Sequence, residues 1–234
     1  MEKKNTKKTT TSNLSQQIKT KKRVRDHGEV FTPDFIVQDM LDLVKGETER
    51  IDSRFLEPAC GDGNFLAPIL ERKLNIAKKR YSRLQIDYER NALIALASIY
   101  GIELLKDNVQ KCRKRLFNIF LTYYKDKYKK KIKESYLKSA KYILKRNILW
   151  GDALTLQTPD KNSKPIIFSS WSRLGSYIIR DDYYFSDLIP MDKEGLFDNR
   201  HVTSDLGDSV FDPKKIDINF PKKHYLKLDY KDAE

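Results

Sequence analysis

The chain has 234 residues, of which 39% are hydrophobic and 34% are charged, and its formal net charge is +13. This length suits one sizeable domain with appendages, or at most two small domains. Two cysteines, Cys60 and Cys112, are too few for a disulfide framework, and no Cys/His cluster has the spacing of a metal site. No apolar run approaches the roughly 20 residues that span a bilayer, and the basic N-terminus lacks the apolar stretch of a secretory signal. We therefore expect a cytoplasmic protein with no membrane partner and no metal.

Positive charge is concentrated in two blocks of the sequence. Residues 1–26 hold nine Lys and Arg against two Asp and Glu, and residues 104–149 hold 15 against three, whereas the remaining regions are mildly acidic. One-signed blocks are typical of polyanion-binding proteins, so we expect contact with DNA; the alternative is a solvated, lysine-rich surface. The first block has almost no apolar residues, and we expect a disordered or loosely held arm.

The first regular element is a helix in the stretch GEVFTPDFIVQDMLDLV, which starts at Gly28. Thr32 is the candidate N-cap, and Pro33 suits the first helical position. Five apolar residues are expected to form its buried face, namely Phe35, Ile36, Met40, Leu43 and Val44. A strand over residues 53–57 follows, and then helices over about 64–80 and 88–98.

A glycine turn joins that strand to the next helix in FLEPACGDGNFL, residues 55–66. Gly61 and Gly63 allow backbone angles that other residues reach only with strain, and they allow a ligand to approach the chain closely. A strand that enters such a turn and a helix that leaves it form a crevice where open α/β sheets bind nucleotide-like ligands. The alternative is a tight strand-to-helix turn with no ligand.

Two further strands are expected to lie beside the first. IYGIELL, residues 99–105, has Glu103 near its carboxyl end, where an acid can accept hydrogen bonds from ribose hydroxyls; the alternative is an ordinary strand-end acid. NILWGDALTL, residues 147–156, supplies a third strand that ends at Asp152. The basic stretch 106–146 between them is expected to form two helices, whose apolar residues are core contacts rather than base-stacking platforms: Phe117, Phe120, Leu121 and Tyr124.

Four segments, GEVFTP, PACGDGNFL, GIEL and GDAL, resemble in this order the cofactor half of adenine-specific DNA amino-methyltransferases. The resemblance is greatest to the modification subunits and fused enzymes of bacterial restriction-modification systems, and it covers about residues 28–156. It implies a class I S-adenosylmethionine-dependent methyltransferase fold, a Rossmann-like α/β sandwich of three layers with a mostly parallel sheet flanked by helices. Because a full seven-stranded sheet does not fit this length, we expect a trimmed sheet or one that ends in short antiparallel strands.

The resemblance also implies a role for individual residues in binding S-adenosylmethionine. Glu103 would hold the ribose, Asp152 would accept from the adenine amino group, and Ala153 would lie against the ring. The methionine moiety would be bordered or wrapped by Phe31, Thr32, Pro58, Ala59, Cys60, Gly61, Asp62 and Gly63. One departure concerns Glu103, which lies 40 residues after Gly63 rather than about 20, as in the dinucleotide-binding pattern. The additional helix at 88–98 would account for this length.

The catalytic motif of the family is missing. Members of the family carry Asn-Pro-Pro-Tyr or a close variant after a fourth strand, and its aromatic residue stacks on the flipped-out base. The corresponding strand here, PIIFSSWSRLG at residues 165–175, offers only Ser169, Ser170 and Trp171, with no proline pair. The alternative is that Trp171 packs against the sheet edge. A target-recognition region is also lacking, since only about 60 residues follow this strand.

These features predict three regions: a basic arm (1–26), a methyltransferase-like domain (27–175) with a basic helical insertion (106–146), and an acidic, irregular region (176–234) packed on the same domain. Three functions stay open. In the first, the chain is an enzyme, or a partner-dependent subunit of one, that methylates adenine in DNA. Alternatively, it is a non-catalytic accessory or regulatory protein that binds DNA and the cofactor. The third alternative is a methyltransferase that acts on RNA or protein.

Overall fold

The computed structural model describes residues 23, 25, 32–189 and 213–230. Phe31, nearly all of the basic arm and residues 190–212 lie outside the described part of the chain. The described residues form a mixed α/β structure with two three-stranded sheets. In this part of the chain no helix combines the length and apolar content needed to cross a membrane.

The elements follow one another closely along the chain. The helices are α1 (Asp34–Leu43), α2 (Lys45–Thr48), α3 (Leu66–Tyr81), α4 (Gln85–Ala97), α5 (Lys106–Tyr128) and α6 (Glu134–Asn147), with short 3-10 turns at Lys129–Lys131 and Phe185–Leu188. The strands are β1 (Phe55–Glu57), β2 (Ile99–Glu103), β3 (Ile148–Trp150), β4 (Ile167–Leu174), β5 (Tyr177–Tyr184) and β6 (Lys223–His224).

The first sheet is parallel and has the order β1-β2-β3, with Glu57 opposite Gly101 and Glu103 opposite Trp150. Connections between parallel strands are right-handed, so strands in sequential order place their connecting helices on one face. Ile99 and Ile148 belong to the large core that these helices form. Gly101 permits close packing there, because a Cβ at this position would lie 2.8 Å from the Cys60 sulfur.

Among the described residues, an antiparallel hairpin covers the second face of the parallel sheet. Tyr100 and Ile102 point away from the helical core and form a smaller cluster with Ile166, Phe168 and Phe185. The rings of Tyr100 and Phe168 meet edge to face at 5.5 Å, and the Tyr100 hydroxyl donates to a β4 carbonyl. The described residues therefore form three layers, namely helices, a parallel sheet and an antiparallel sheet, and the parallel sheet has helices on one face where the sequence predicted a sheet flanked by helices.

The expected fourth strand exists, but it does not extend the parallel sheet. β4 pairs with β5 along its whole length, from the pair Ile167–Tyr184 to the pair Leu174–Tyr177. Three of the eight residues of β4 and five of the eight residues of β5 are β-branched or aromatic, and Gly175 provides the left-handed turn between the strands with φ of 61°. In a local hairpin of this kind, the backbone N–H and C=O groups of the two strands bond to each other and do not need the parallel sheet. The boundary expected between the methyltransferase-like domain and the C-terminal region, at residues 175 and 176, therefore falls inside the turn of this hairpin.

A buried carboxylate connects the helices to the C-terminal segment. Glu89 in α4 has no solvent exposure, and its oxygens accept hydrogen bonds from the hydroxyls of Tyr124 at 2.5 Å and Tyr225 at 2.7 Å. The Lys133 ammonium lies 2.7 Å from the same carboxylate. A buried charge is tolerated when it is paired and fully hydrogen-bonded, as it is here. This network attaches the residues around β6 to α4, α5 and α6.

The expected buried face of α1 is wrong. Val37 and Leu41 are buried, whereas Phe35, Met40 and Leu43 have exposed fractions of 68%, 50% and 86%; Ile36 and Val44 are exposed as well. Hydrogen bonds from α3 set the rotation of the helix, because the Arg72 guanidinium donates to the Asp42 carboxylate and the Leu41 carbonyl. Helical periodicity alone did not distinguish the two faces. The N-cap position is Pro33 and not Thr32.

Other expectations for the helical part are confirmed. The stretch 106–146 forms two helices, α5 and α6, separated at Lys129, where φ is 34°. Its aromatic residues pack into the core: Phe120 and Tyr124 are buried, and Phe117 and Leu121 pack against that core. At the end of the basic arm, the Arg23 guanidinium donates to both carboxylate oxygens of Asp107 at 3.1 and 3.2 Å.

Candidate functional site

A cleft of about 630 Å³ lies where the three parallel strands end. Eight of the residues expected from the sequence to bind a cofactor line it: Thr32, Pro58, Ala59, Cys60, Gly61, Glu103, Asp152 and Ala153. They come from the segment before α1, the turn after β1, and the ends of β2 and β3. The parallel register brings these distant segments to one edge of the sheet.

The glycine turn is held in a conformation that requires glycine. Gly61 and Gly63 have φ of 54° and 93°, in the left-handed region that other residues rarely adopt. The Cys60 N–H donates to the Ile102 carbonyl at 2.9 Å, which continues the pairing with β2 beyond β1. The Gly63 N–H then closes the turn on the Cys60 carbonyl at 2.8 Å. The turn therefore crosses the strand ends and leads directly into α3.

Glu103 fixes this turn from the neighbouring strand. Its side chain accepts the Gly61 N–H at Oε2 and the Leu105 N–H at Oε1, both at 2.8 Å. The residue is 8% exposed and lines the cleft. Each carboxylate oxygen can accept two hydrogen bonds, so Glu103 retains acceptor capacity for hydroxyl donors in the cleft.

Asp152 lies at the end of the third strand and is half-buried. Its Oδ1 accepts the Leu154 N–H at 2.9 Å, whereas Oδ2 has no hydrogen-bond partner among the described residues. Gly151, just before it, must lack a side chain, because a Cβ there would lie 2.4 Å from Cδ1 of Ile166 in the layer below. Asp152 can therefore accept a hydrogen bond from an amino group of a ligand without breaking an existing hydrogen bond.

Two of the expected residues lie beside the cleft rather than on its wall. Asp62 faces α5, where its carboxylate lies 3.4 Å from the Arg115 guanidinium. Gly63 is buried against α5, and a Cβ at this position would lie 2.9 Å from the Cys112 sulfur. Gly63 therefore shapes the turn through packing. Phe31 falls outside the described residues.

Several residues of the cleft were not predicted from the sequence. Asn64 follows the glycine turn and donates to the Thr32 carbonyl at 2.6 Å, which fixes Thr32 at the rim. Glu57, the last residue of β1, adds a carboxylate and accepts the Ala59 N–H at 3.2 Å. The position of Glu57 at a strand end was a usable signal. The contribution of Asn64 depends on tertiary contact with the segment before α1.

The three candidate catalytic residues do not line this cleft. Ser169 is 1% exposed and donates its hydroxyl to Asp182 at 2.7 Å, a contact within the hairpin. Ser170 lines a separate cavity of about 200 Å³ beside Tyr100. The Trp171 indole N–H donates to Asn147 at 2.8 Å, and its ring packs against Tyr142. Trp171 thus packs on α6, because β4 runs in the hairpin and not beside β1.

The two cysteines are buried free thiols under the turn. A hydrogen bond with Cys112, together with burial and nearby negative charge, raises the pKa of the Cys60 thiol far above its ordinary value. A neutral thiol is a poor nucleophile and a poor metal ligand. Across residues 32–189 and 213–230, His, Cys, Asp and Glu form no group of three that could hold a metal ion.

The charged residues on the described walls of the cleft are all acidic. Its described walls carry three carboxylates, from Glu57, Glu103 and Asp152, and none of the described lining residues is Lys, Arg or His. Apolar contacts come from Phe65 and Leu104 among others. Such a lining suits a ligand with hydroxyl and amino donors, an apolar ring and positive charge.

Comparison of the chain with family models, curated proteins and solved structures finds no match.

Proposed function

We propose that the cleft binds S-adenosylmethionine, and that the chain is a DNA adenine methyltransferase-like protein of a restriction-modification system. The observation that carries the proposal is the set of three carboxylates without a basic partner on the described walls of the cleft. S-adenosylmethionine carries a sulfonium and an ammonium group, which nearby carboxylates stabilise. A dinucleotide carries a pyrophosphate, which these carboxylates would repel. The resemblance of the four segments to the methyltransferase family supports the same ligand.

The residues of the cleft have distinct parts in this proposal. Glu103 accepts hydrogen bonds from the ribose hydroxyls, because each of its oxygens has a lone pair that the Gly61 and Leu105 N–H groups do not use. Asp152 accepts the adenine amino group at Oδ2, and Ala153 lies against the ring. Ala59 and Gly61 approach the methionine moiety through their backbone. When bound, the cofactor supplies a methyl group that leaves readily to a nucleophile.

DNA is the proposed polyanionic partner. Exposed basic side chains are distributed over α5 and α6, among them Lys106, Lys111, Lys114, Lys138, Lys141 and Lys145. Lysines on helix surfaces contact phosphates without reading bases, so they provide affinity rather than sequence specificity.

Chemistry on a base needs more than the described cleft contains. Since Ser169, Ser170 and Trp171 line other parts of the molecule, we propose that a partner chain supplies the catalytic loop and target recognition. The alternative is a non-catalytic accessory protein that keeps cofactor and DNA binding. That alternative is favoured by the same observation, the separation of the three candidates from the cleft.

Cofactor binding is tested by equilibrium dialysis with radiolabelled S-adenosylmethionine. Ala59→Trp fills the cleft, and Asp152→Ala removes the adenine acceptor, so both variants are expected to weaken binding at least tenfold. Asp160→Ala is the matched control, because Asp160 also accepts the N–H two residues later, at 2.9 Å, but lies outside the cleft. Equal affinity in all four proteins would contradict the proposed site.

Methyl transfer is tested separately with tritiated cofactor and DNA or RNA as the acceptor. We expect transfer to DNA only when a partner chain is present, because the described part of the chain brings no catalytic loop to the cleft. Absence of transfer with every partner, together with intact cofactor binding, would favour the accessory function. Transfer to RNA would favour the third alternative.

A further inference from the structure

A second cleft, of about 610 Å³, lies at the opposite end of the parallel sheet, where the strands begin. Its walls come from the loop before β1, the end of α3, the end of α4 and the middle of β4. We propose that this cleft, here called the arginine cleft, binds a single-stranded nucleic acid. The inference does not depend on cofactor binding at the carboxylate-lined cleft.

Four arginines from three segments line the arginine cleft: Arg50, Arg54, Arg80 and Arg173. All four are exposed. Arg54, Arg80 and Arg173 form no ion pair within the described residues, and Arg50 has only an exposed pair with Glu47 at 3.4 Å. Asp52 is the one acid among the lining residues. Guanidinium groups bind phosphate oxygens in a bidentate manner, so this excess of positive charge favours a phosphate-bearing ligand.

The loop that carries Arg50 and Arg54 is held rigidly from below. Lys73 in α3 is fully buried, and its ammonium donates to the carbonyls of Arg50 at 3.0 Å and Ile51 at 3.2 Å. Ser98 adds a hydrogen bond from its hydroxyl to the Ile51 carbonyl at 3.1 Å. The buried lysine thus fixes the backbone of this wall before any ligand binds, which lowers the entropy lost on binding.

Aromatic side chains favour a single strand over a duplex. Tyr81 and Trp171 line the same cleft and are half-buried. Trp171 is fixed by its bond to Asn147 and by the Tyr142 ring, so it offers a preorganised contact surface. The bases of a single strand are free to stack on such rings, whereas the bases of a duplex are stacked inside it. Alternating phosphates and unpaired bases therefore match the combination of arginines and aromatic rings.

The test is fluorescence anisotropy with a labelled oligothymidylate of about 12 nucleotides, measured at several salt concentrations. The double variant Arg54→Glu/Arg173→Glu is expected to weaken binding at least tenfold. It is also expected to reduce the salt slope by about 1.4, since each phosphate contact with a single strand contributes about 0.7. The control Arg83→Glu/Lys161→Glu makes the same change in net charge at exposed positions outside the cleft. Thermal unfolding of each variant verifies that it is folded.

Stacking is tested at Tyr81. Tyr81→Phe keeps an aromatic ring and is expected to bind like the wild type, whereas Tyr81→Leu is expected to bind about tenfold more weakly. The inference would be overturned by no binding of the wild type, by equal binding of the cleft variant and the control, or by equal competition from a duplex of the same length. Equal competition by inorganic phosphate would also overturn it, because the cleft would then recognise any anion.

Discussion

The Glu103 carboxylate organises the glycine turn before any ligand is present. One oxygen accepts the Gly61 N–H and the other accepts the Leu105 N–H, both at 2.8 Å. A turn fixed in this way loses little conformational entropy when a ligand binds, so more of the contact energy contributes to affinity. Glu103 thereby connects the turn after β1 to the end of β2 as a single binding edge.

Substitution of glycine by alanine is expected to have opposite effects on stability at Gly63 and Gly46. Gly63→Ala should lower the free energy of unfolding by about 2 kcal/mol, because alanine is disfavoured at a φ of 93° and its Cβ would lie 2.9 Å from the Cys112 sulfur. Gly46→Ala is the control: it lies in α2 with nothing within 4 Å of the added Cβ, and it should raise stability by up to about 1 kcal/mol. Urea denaturation measures both, and equal changes would contradict this account of the turn.

Many residues of the carboxylate-lined cleft could be predicted from the sequence. The glycine pair, Glu103 and Asp152 each follow an apolar strand, and parallel strands bring their carboxyl ends together. The missed residue Asn64 binds the Thr32 carbonyl 32 positions away, a contact that no local pattern encodes. The arginine cleft was missed for the same reason, since its residues Arg54, Arg80 and Arg173 come from three distant segments of the sequence.

Among the elements, local patterns predicted the strands β1 to β4 but neither β5 nor β6, and they did not predict the partner of β4. The stretch 165–175 was predicted as a strand, and it is β4; its partner β5 was predicted as irregular structure. Hairpin pairing with β5 replaced the expected place in the parallel sheet, because the short turn at Gly175 places the two strands side by side over all eight residues of β4. The orientation of α1 likewise depended on Arg72 in α3, which periodicity cannot include.

Two hydrogen bonds attach the C-terminal segment to the helices: the Tyr225 hydroxyl donates to Glu89 in α4, and the Leu228 N–H donates to Ser139 in α6 at 3.2 Å. Tyr225→Phe removes the 2.7 Å bond to the buried Glu89 carboxylate and should lower stability by about 2 kcal/mol, or the melting temperature by about 5 °C. Tyr230→Phe is the matched control, because Tyr230 is 63% exposed and lies five residues later on the same segment. Differential scanning calorimetry compares the two variants. A shift of equal size in both would show that the Glu89 network contributes nothing.

At the scale of the whole molecule, buried tyrosines make stability depend on alkaline pH. Burial raises the pKa of Tyr100 to about 12. Burial also raises the pKa of Tyr88, Tyr124, Tyr136 and Tyr225. The unfolded chain releases these protons near pH 10 while the folded chain retains them, so the free energy of unfolding falls as pH rises above 10.

Tyr100→Phe isolates one of these groups. The stability that Tyr100 contributes through its raised pKa is present below pH 10 and is lost between pH 10 and 12. Between pH 9 and 11 the wild type should therefore lose about 1 kcal/mol more than the variant. Urea denaturation at both pH values gives the two differences. An identical loss in both proteins would contradict burial of a protonated Tyr100.

The two ends of the parallel sheet differ in charge, although the chain as a whole carries +13. Carboxylates line the cleft where the strands end, and arginines line the cleft where they begin. Net charge therefore predicted a polyanion partner but could not predict that the expected cofactor cleft would be acidic. This separation allows a cationic nucleoside and a nucleic acid to bind the same molecule at different places.

The proposed function depends above all on binding of S-adenosylmethionine at the carboxylate-lined cleft, and NMR titration of the backbone amides is the experiment that examines this binding residue by residue. Glycine amides report on each region: Gly61 and Gly151 line the cleft, whereas Gly175 lies in the hairpin turn. We predict saturable shifts of the Gly61 and Gly151 amides and no shift at Gly175. Unchanged spectra at saturating cofactor, or shifts confined to residues outside the cleft, would contradict the proposed binding.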